Sequence, residues 1–505
     1  MTVSISCHDN SVYYEDAYII ENISIIDPND GFKKNKTVVI KSNKIHEIFD
    51  STKKELSKKN IIYSGKDKFL IPGFWDAHVH FAFDESLAGS MSDLFLAYGV
   101  TSVRDTGGEI NFVNKFKYES EDNPDTHPRI MVAGPLIDGE YNVYDGHSHQ
   151  FPPLSIQNVT EKDLYKKVNI LIDQNVNFLK AYEMLTPNQF QALANIAKEN
   201  NLKLTGHVPL SMDVISASNM GLNSMEHFRN FELSVSKDSK ELLKKRKRLL
   251  KNLQNFSGAK LRSSIHSLQR MDAINNIDSL KLNQVIDVLV KNQTWQIPTL
   301  FLYRTFANKT FKLDSWMEYF NSFPSDVRSD WINKISKIDD KINKDRQAYS
   351  NWALGIVNLM NNKGVQFMAG TDAPIFFLIP GLSLHDEIAM LSEGGLSNLE
   401  AIKSATYNPS KYFGMEKELG SIKPGQIADL LILKKNPLEN ISNTKEIEAV
   451  IKNGNLLTLY ILLKNFCQIK EASLLKVYQN ILISNQELIG RFQILFVLEV
   501  YIINY

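Results

Sequence analysis

What most constrains this chain is a recurrence: short apolar strands that each end in a residue with metal-ligand or proton-transfer chemistry. Pro72-Gly73-Phe74-Trp75-Asp76-Ala77-His78-Val79-His80 opens the series. On a strand, residues i and i+2 share a face, so His78 and His80 present two imidazoles together, enough to bind one divalent metal. Phe178-Leu179 leads to Lys180, Lys203-Leu204-Thr205-Gly206 to His207, and a strand from Leu222 to Glu226-His227. Val365-Gln366-Phe367-Met368 leads to Gly370-Thr371-Asp372. Lys180 and His207 lie 27 residues apart, His207 and His227 20. Strand–helix units of that length pair their strands in parallel, which brings every C-terminal end to one face. The spacing predicts a (β/α)8 barrel with its chemistry at one mouth. A lone His-x-His is common by chance, and a single strand-end histidine is more often a hydrogen-bonded core residue. Neither explains ligand types recurring at five strand ends.

Between these ends the local signals agree. Val100–Val103 and Ile130–Ala133 read as further strands, and Thr186-Pro187-Asn188-Gln189 carries the cap, first-turn proline and returning glutamine of a helix start. The two ends of the chain differ from the middle. Ala17–Ile20, Thr37–Ile40, Ile61–Tyr63, Ala428–Leu433 and Glu448–Ile451 are β-rich runs separated by turn chemistry such as Asp-Pro-Asn-Asp-Gly and Asn453-Gly454. The expected organisation is a small discontinuous β-sandwich domain from 1–71 and 415–458, a barrel over 72–414, and a helical insertion at 232–290 covering the barrel mouth. A helical tail, 459–505, has no assigned role beyond a satellite helix or an oligomer contact. Lys244-Lys245-Arg246-Lys247-Arg248 reads as a solvated helix face rather than an RNA-binding patch.

Composition narrows the class. The 505 residues are 43% hydrophobic and 23% charged, with Gly 24 and Pro 16, which fits a globular protein. Lys plus Arg and Asp plus Glu are both 57, so no net charge draws the chain to nucleic acid or an anionic membrane. Cys7 and Cys467 stand at opposite ends and form neither a disulfide framework nor a thiolate cluster. No secretory leader precedes the first strand, and the apolar run Ile494–Leu498 stops at Glu499, so a cytoplasmic protein without a membrane span is expected.

With these motifs placed, the chain resembles the amidohydrolase superfamily, in its binuclear imidazolonepropionase-related and prolidase-like branch. Supporting stretches are Gly99–Asp105, Gly381–Glu387, Ala405-Thr406-Tyr407-Asn408-Pro409 and Gly420–Leu430. The resemblance runs from Gly73 to about residue 457. It implies two divalent metal ions, Zn2+ in the first instance: His78, His80 and Asp372 on one, His207 and His227 on the other, and an N-carboxylated Lys180 bridging them. A charged lysine has no acceptor and repels dications, whereas a carbamate is a bidentate anion. The implied reaction is attack of a metal-bridging hydroxide on an amide-like C–N bond, with Asp372 carrying the proton and Tyr182 donating to the oxyanion. Dipeptides, N-acyl amino acids and cyclic amides are the expected small-molecule substrates. Tyr182, Arg229 and the loop histidines His147 and His149 are the expected substrate contacts, a plain polar loop being the other reading of Asp145–His149. Deaminase-like relatives carry a Glu where this chain has Leu210, three residues after His207, which weakens that reading. A lactonase or phosphotriesterase-like ester hydrolase, and a non-catalytic scaffold on the same barrel, are the alternatives.

Overall fold

The computed structural model describes residues 11–251 and 257–457. Its strands are β1 (Ala17–Asp27), β2 (Gly31–Lys41), β3 (Lys44–Asp50), β4 (Ile61–Ser64), β5 (Phe69–Pro72), β6 (Phe74–Val79), β7 (Val100–Asp105) and β8 (Arg129–Val132). They continue as β9 (Leu136–Asp138), β10 (Ser155–Gln157), β11 (Phe178–Ala181), β12 (Lys203–Gly206), β13 (Ser224–Glu226), β14 (Trp295–Ile297), β15 (Leu430–Leu433), β16 (Ile447–Lys452) and β17 (Asn455–Leu457).

Eight of these strands, from the two ends of the described chain, form one hydrogen-bonded sheet in the order β17-β16-β15-β5-β1-β2-β3, with β4 on β1. β15 pairs antiparallel with β5, so Leu431 faces Ile71 across a ladder that joins residues about 360 positions apart. The alternation Ile20, Val38, Ile40, Leu70, Leu430, Ile432, Ile451 places one side of this sheet in its own apolar core.

The middle of the chain is α/β, and its sheets are parallel. β10-β9-β11-β12-β13-β14 run in one, and β6-β7-β8 in another. Parallel bridges from Gln296 to Phe367 and from Val79 to Ala373 tie the segment 367–373 to both β14 and β6. At the other side Asn177 N, just before β11, donates to Val132 O of β8 (2.8 Å). Buried Val, Ile, Leu and Phe on these strands and on the surrounding helices make the largest core, as expected of strands covered on both faces. The helix Pro187–Glu199 begins with the capping box its sequence announces.

Two expected strands are shorter than the apolar runs that suggest them. Val365–Met368 forms one isolated bridge, at Phe367, and the segment from Leu222 narrows to β13, which ends where His227 and Phe228 adopt left-handed φ values (57° and 49°). Four helices follow β13: Phe231–Val235, Ser239–Lys251, Gly258–Asn275 and Ser279–Lys291. In the basic run Lys244, Lys245, Lys247 and Arg248 face solvent, but Arg246 is buried, donating to Gln269 Oε1 and Asn230 Oδ1. The solvated-face reading therefore fails at that one position: Arg246 pins its helix to the body. The tail 459–505 and both cysteines lie outside the described residues. No helix among the described residues is long and apolar enough to cross a membrane.

Candidate metal and active site

The strand ends converge as their spacing requires. A small cavity, about 30 Å3, is lined by His78, His80, Lys180, Tyr182, His207, His227, Arg229 and Asp372, with Leu136, Tyr144, Leu154, Arg262 and Ile375 completing its wall. Local backbone explains the convergence. Gly370 brings its segment against β6 so closely that a side-chain carbon there would stand 2.9 Å from His78 Cβ. Asp76 clips the same two segments, accepting from Thr371 N (3.0 Å), Thr371 Oγ1 (2.7 Å) and His78 N (3.2 Å).

Three of the four imidazoles have Nδ1 hydrogen-bonded outside the cavity, and that of His78 faces a carboxylate without a hydrogen bond. His78 Nδ1 is 2.6 Å from Glu226 Oε2, His80 Nδ1 3.2 Å from Gly107 O, His207 Nδ1 2.7 Å from Glu183 Oε1, and His227 Nδ1 2.6 Å from Thr299 Oγ1. Every Nε2 is thereby left as the ring nitrogen available to a ligand, which is how outer partners orient metal-binding histidines. Asp372 Oδ1 stands 3.0 Å from Nε2 of both His78 and His80, yet in directions that make no hydrogen bond. Buried acceptors gathered without donors fit a cation, and His78, His80 and Asp372 form one group that could hold a metal ion. His78, Glu226 and His227 form a second such group.

Lys180 points at Glu226 Oε2, while Arg104 Nη2 and Thr205 Oγ1 donate to Glu226 Oε1 (2.6 and 2.7 Å). Burial pushes the Lys180 ammonium below its ordinary value, against the opposing pull of Glu226. Burial also holds the Tyr182 hydroxyl well above its ordinary value, so it stays a proton donor. Its ring lies 4.4 Å from that of His207. His147 and His149 are not brought in. His147 pairs with Asp145, stacks on Phe151 (5.2 Å) and is 41% exposed, and His149 faces solvent. Neither ring lines the cavity.

Sequence reasoning missed a second cluster behind His207. Glu183, fully buried, accepts from His207 and from His266 Nε2 (3.0 Å), with Arg262 Nε at 3.1 Å and Arg229 Nε at 3.6 Å. Burial alone would raise its carboxyl, but Arg262 and Arg229 outweigh that and hold it well below the usual carboxylate range. His207 is lowered to about 3, by burial partly offset by Glu183. Two signals were available: a carboxylate one residue past Tyr182, and Arg262 with His266 at i and i+4, hence on one helix face.

Comparison with known proteins agrees with this geometry. Residues 332–457 match the amidohydrolase family. Adenine deaminase of Clostridium perfringens (strain 13 / Type A) is 27% identical over 203 residues, 38% of this chain and 33% of that protein. Ochratoxinase of Aspergillus niger is 38% identical over 98 residues, 18% of this chain and 19% of that protein. The chain thus spans about a third and about a fifth of these curated relatives. The structure of a Xaa-Pro dipeptidase with bound methionine superposes with a TM-score of 0.62 at 20% identity, over 88% of this chain and all of the other, and so shares its fold. The chain resembles the amidohydrolase superfamily and, within it, the prolidase-like members.

Proposed function

We propose that this chain is a metal-dependent hydrolase of C–N bonds, prolidase-like or acting on N-acyl amino acids or cyclic amides. The observation that carries this reading is the set of four histidines, three of them held by Nδ1 from outside, around Asp372 and Lys180 in one cavity. The proposed frame is a (β/α)8 barrel over 72–414 with a small β domain from the flanking segments. Support comes from the parallel order of β6 to β14 and the bridges through Phe367 and Ala373.

In this reading His78, His80 and Asp372 would hold one zinc ion and His207 and His227 the other, with Lys180, carboxylated on Nζ, supplying a carbamate ligand. Such ions supply Lewis-acid polarisation and water activation. Asp372 takes the proton of the attacking water and returns it to the leaving nitrogen. Its carboxyl is suited to this because His78 and His227 overcome the upward effect of burial and keep it ionised. Tyr182 donates to the developing oxyanion. Carboxylation needs the neutral amine, which burial favours, and requires Nζ to leave Glu226, whose other oxygen stays with Arg104 and Thr205.

Elemental analysis of protein purified without chelator, followed by a screen of dipeptides, N-acyl amino acids and lactones, tests the reading. About two divalent ions per chain and amine release are expected. A metal content near zero after zinc supplementation, with the fold intact, overturns it. Mass analysis under native conditions tests the added carboxyl group on Lys180.

A further inference from the structure

His207 and His227 are oriented by different chemistry. His207 has a charged partner, Glu183, at its Nδ1. His227 is held at three points by one short stretch of chain, the end of β14 and the start of the helix Leu300–Asn308. Its N–H donates to Ile297 O (2.9 Å), its Nδ1 stands 2.6 Å from Thr299 Oγ1, and its carbonyl oxygen accepts from the Tyr303 hydroxyl (2.5 Å). Thr299 gives its own hydroxyl proton to Pro298 O (2.8 Å), so towards His227 it acts as an acceptor. That fixes the tautomer: the ring proton sits on Nδ1, and the lone pair of Nε2 is free. The backbone is strained on both sides of this contact. His227 and Phe228 have φ of 57° and 49°, and Thr299, a β-branched residue, has φ of 50°. Such a residue costs about 1–3 kcal/mol and persists only where its surroundings over-determine it. Tyr303 supplies that determination. Among the described residues no backbone N–H donates to His227 O, so without the phenol a buried carbonyl is left unpaired. The phenol is itself held in place. Its ring packs edge-on against Tyr349 (4.9 Å), and its helix is tied at Phe301 N to Glu387 (2.8 Å).

We propose that Thr299 and Tyr303, neither of which lines the cavity, are positioning residues that hold His227 in its left-handed turn and aim its Nε2 at a metal ion. The proposal rests on the reading of His227 as a ligand of the second ion, and adds the residues that make it one. Thr299 sets the ring and its tautomer. Tyr303 sets the backbone that carries the ring. Both act through neutral hydroxyl groups, so neither attracts a cation by its own charge. Their loss should therefore be felt by the ion that His227 serves, while His78, His80 and Asp372 keep theirs.

The test reads metal rather than turnover. Zinc content, and zinc affinity by competition with a chromophoric chelator, are measured for wild type, Tyr303→Phe, Thr299→Val and Thr299→Ser, with the melting temperature of each checked. Tyr303→Phe keeps the ring against Tyr349 and removes one hydroxyl. It should weaken one ion by about 10–100-fold, the scale for an outer partner of a metal ligand, and leave the other unchanged. Thr299→Val should do the same, and Thr299→Ser, which keeps the hydroxyl, should restore wild-type affinity. A folded Tyr303→Phe that holds both ions at wild-type affinity overturns the proposal. So does an equal weakening of both ions, which a merely structural role would produce. If Tyr303→Phe does not fold, the Thr299 pair decides, and equal zinc affinity in Thr299→Val and Thr299→Ser overturns the proposal. Wild type that binds no zinc sinks the metal-dependent hydrolase reading and this proposal together, whereas variants that match a zinc-loaded wild type sink this proposal alone.

Discussion

Two carboxylates in this protein are equally buried and oppositely placed. Glu183, behind the cavity, has two guanidinium groups and two imidazole N–H groups around it and is held well below the usual range. Glu387, on the helix Leu382–Glu393, accepts from Phe301 N (2.8 Å) and leaves Oε1 unpartnered. Burial pushes Glu387 up to about 8, despite those backbone N–H groups, with nearby Asp76 adding to the rise. Both side chains have lost water to the same degree, so their neighbours decide which keeps its charge. A carboxylate ringed with cations in a cleft belongs to a site; one left protonated under a helix belongs to packing.

The sharpest way to break that comparison is Glu183→Gln. It would leave Arg229 and Arg262 without a counter-charge in a sealed wall, which costs about 3–5 kcal/mol when one partner of a buried pair is removed. A melting-temperature loss of several degrees or more is expected, together with weaker metal retention at His207 as its orienting partner changes. Unchanged stability would mean that Glu183 is neutral in the native protein. Asp372→Asn, on the opposite wall, should fold normally and lower kcat by at least ~10²-fold on whatever C–N substrate the screen yields. Retained turnover removes Asp372 from proton transfer.

Glu387→Gln sharpens the other side. The Glu387 carboxyl is raised in the folded state, so its stabilising contribution is fully present below the unfolded value near 4 and is lost as pH rises towards about 8. The difference in stability between variant and wild type should therefore shift in favour of the variant by on the order of 1 kcal/mol per pH unit between about pH 5 and 8. Denaturant melts at several pH values measure it, and a flat difference would show that Glu387 is ionised in the native state.

How much of this was legible in the sequence follows from the same contrast. His78, His80, Lys180, His207, His227 and Asp372 stand at the ends of apolar runs, and the strand period with the parallel connection places such ends together. The structure brings all six to one cavity. Glu183, Arg262 and His266 obey no such period. Arg262 reaches the wall from a helix whose position over the strand ends depends on tertiary packing, including the buried Arg246 anchor. The left-handed His227 ends β13 short of the strand its apolar sequence suggests, a backbone turn that local patterns do not announce. The sheet built from both chain ends was readable as strands, but its continuity through β15 on β5 is a long-range pairing that local patterns do not contain.

The smallest expected effect concerns the loop where sequence and structure part company. His147 and His149 lie in the loop between β9 and β10, both face solvent, and the partners of His147 are its own neighbours Asp145 and Phe151. An exposed pair of this kind contributes at most about 1 kcal/mol, and exposed substitutions commonly stay within about 0.5 kcal/mol. His147→Ala and His149→Ala should accordingly leave stability within that margin and kcat/KM within about twofold, since neither ring lines the cavity. A tenfold fall in kcat/KM at unchanged stability would mean that the Asp145–His149 loop folds over bound substrate.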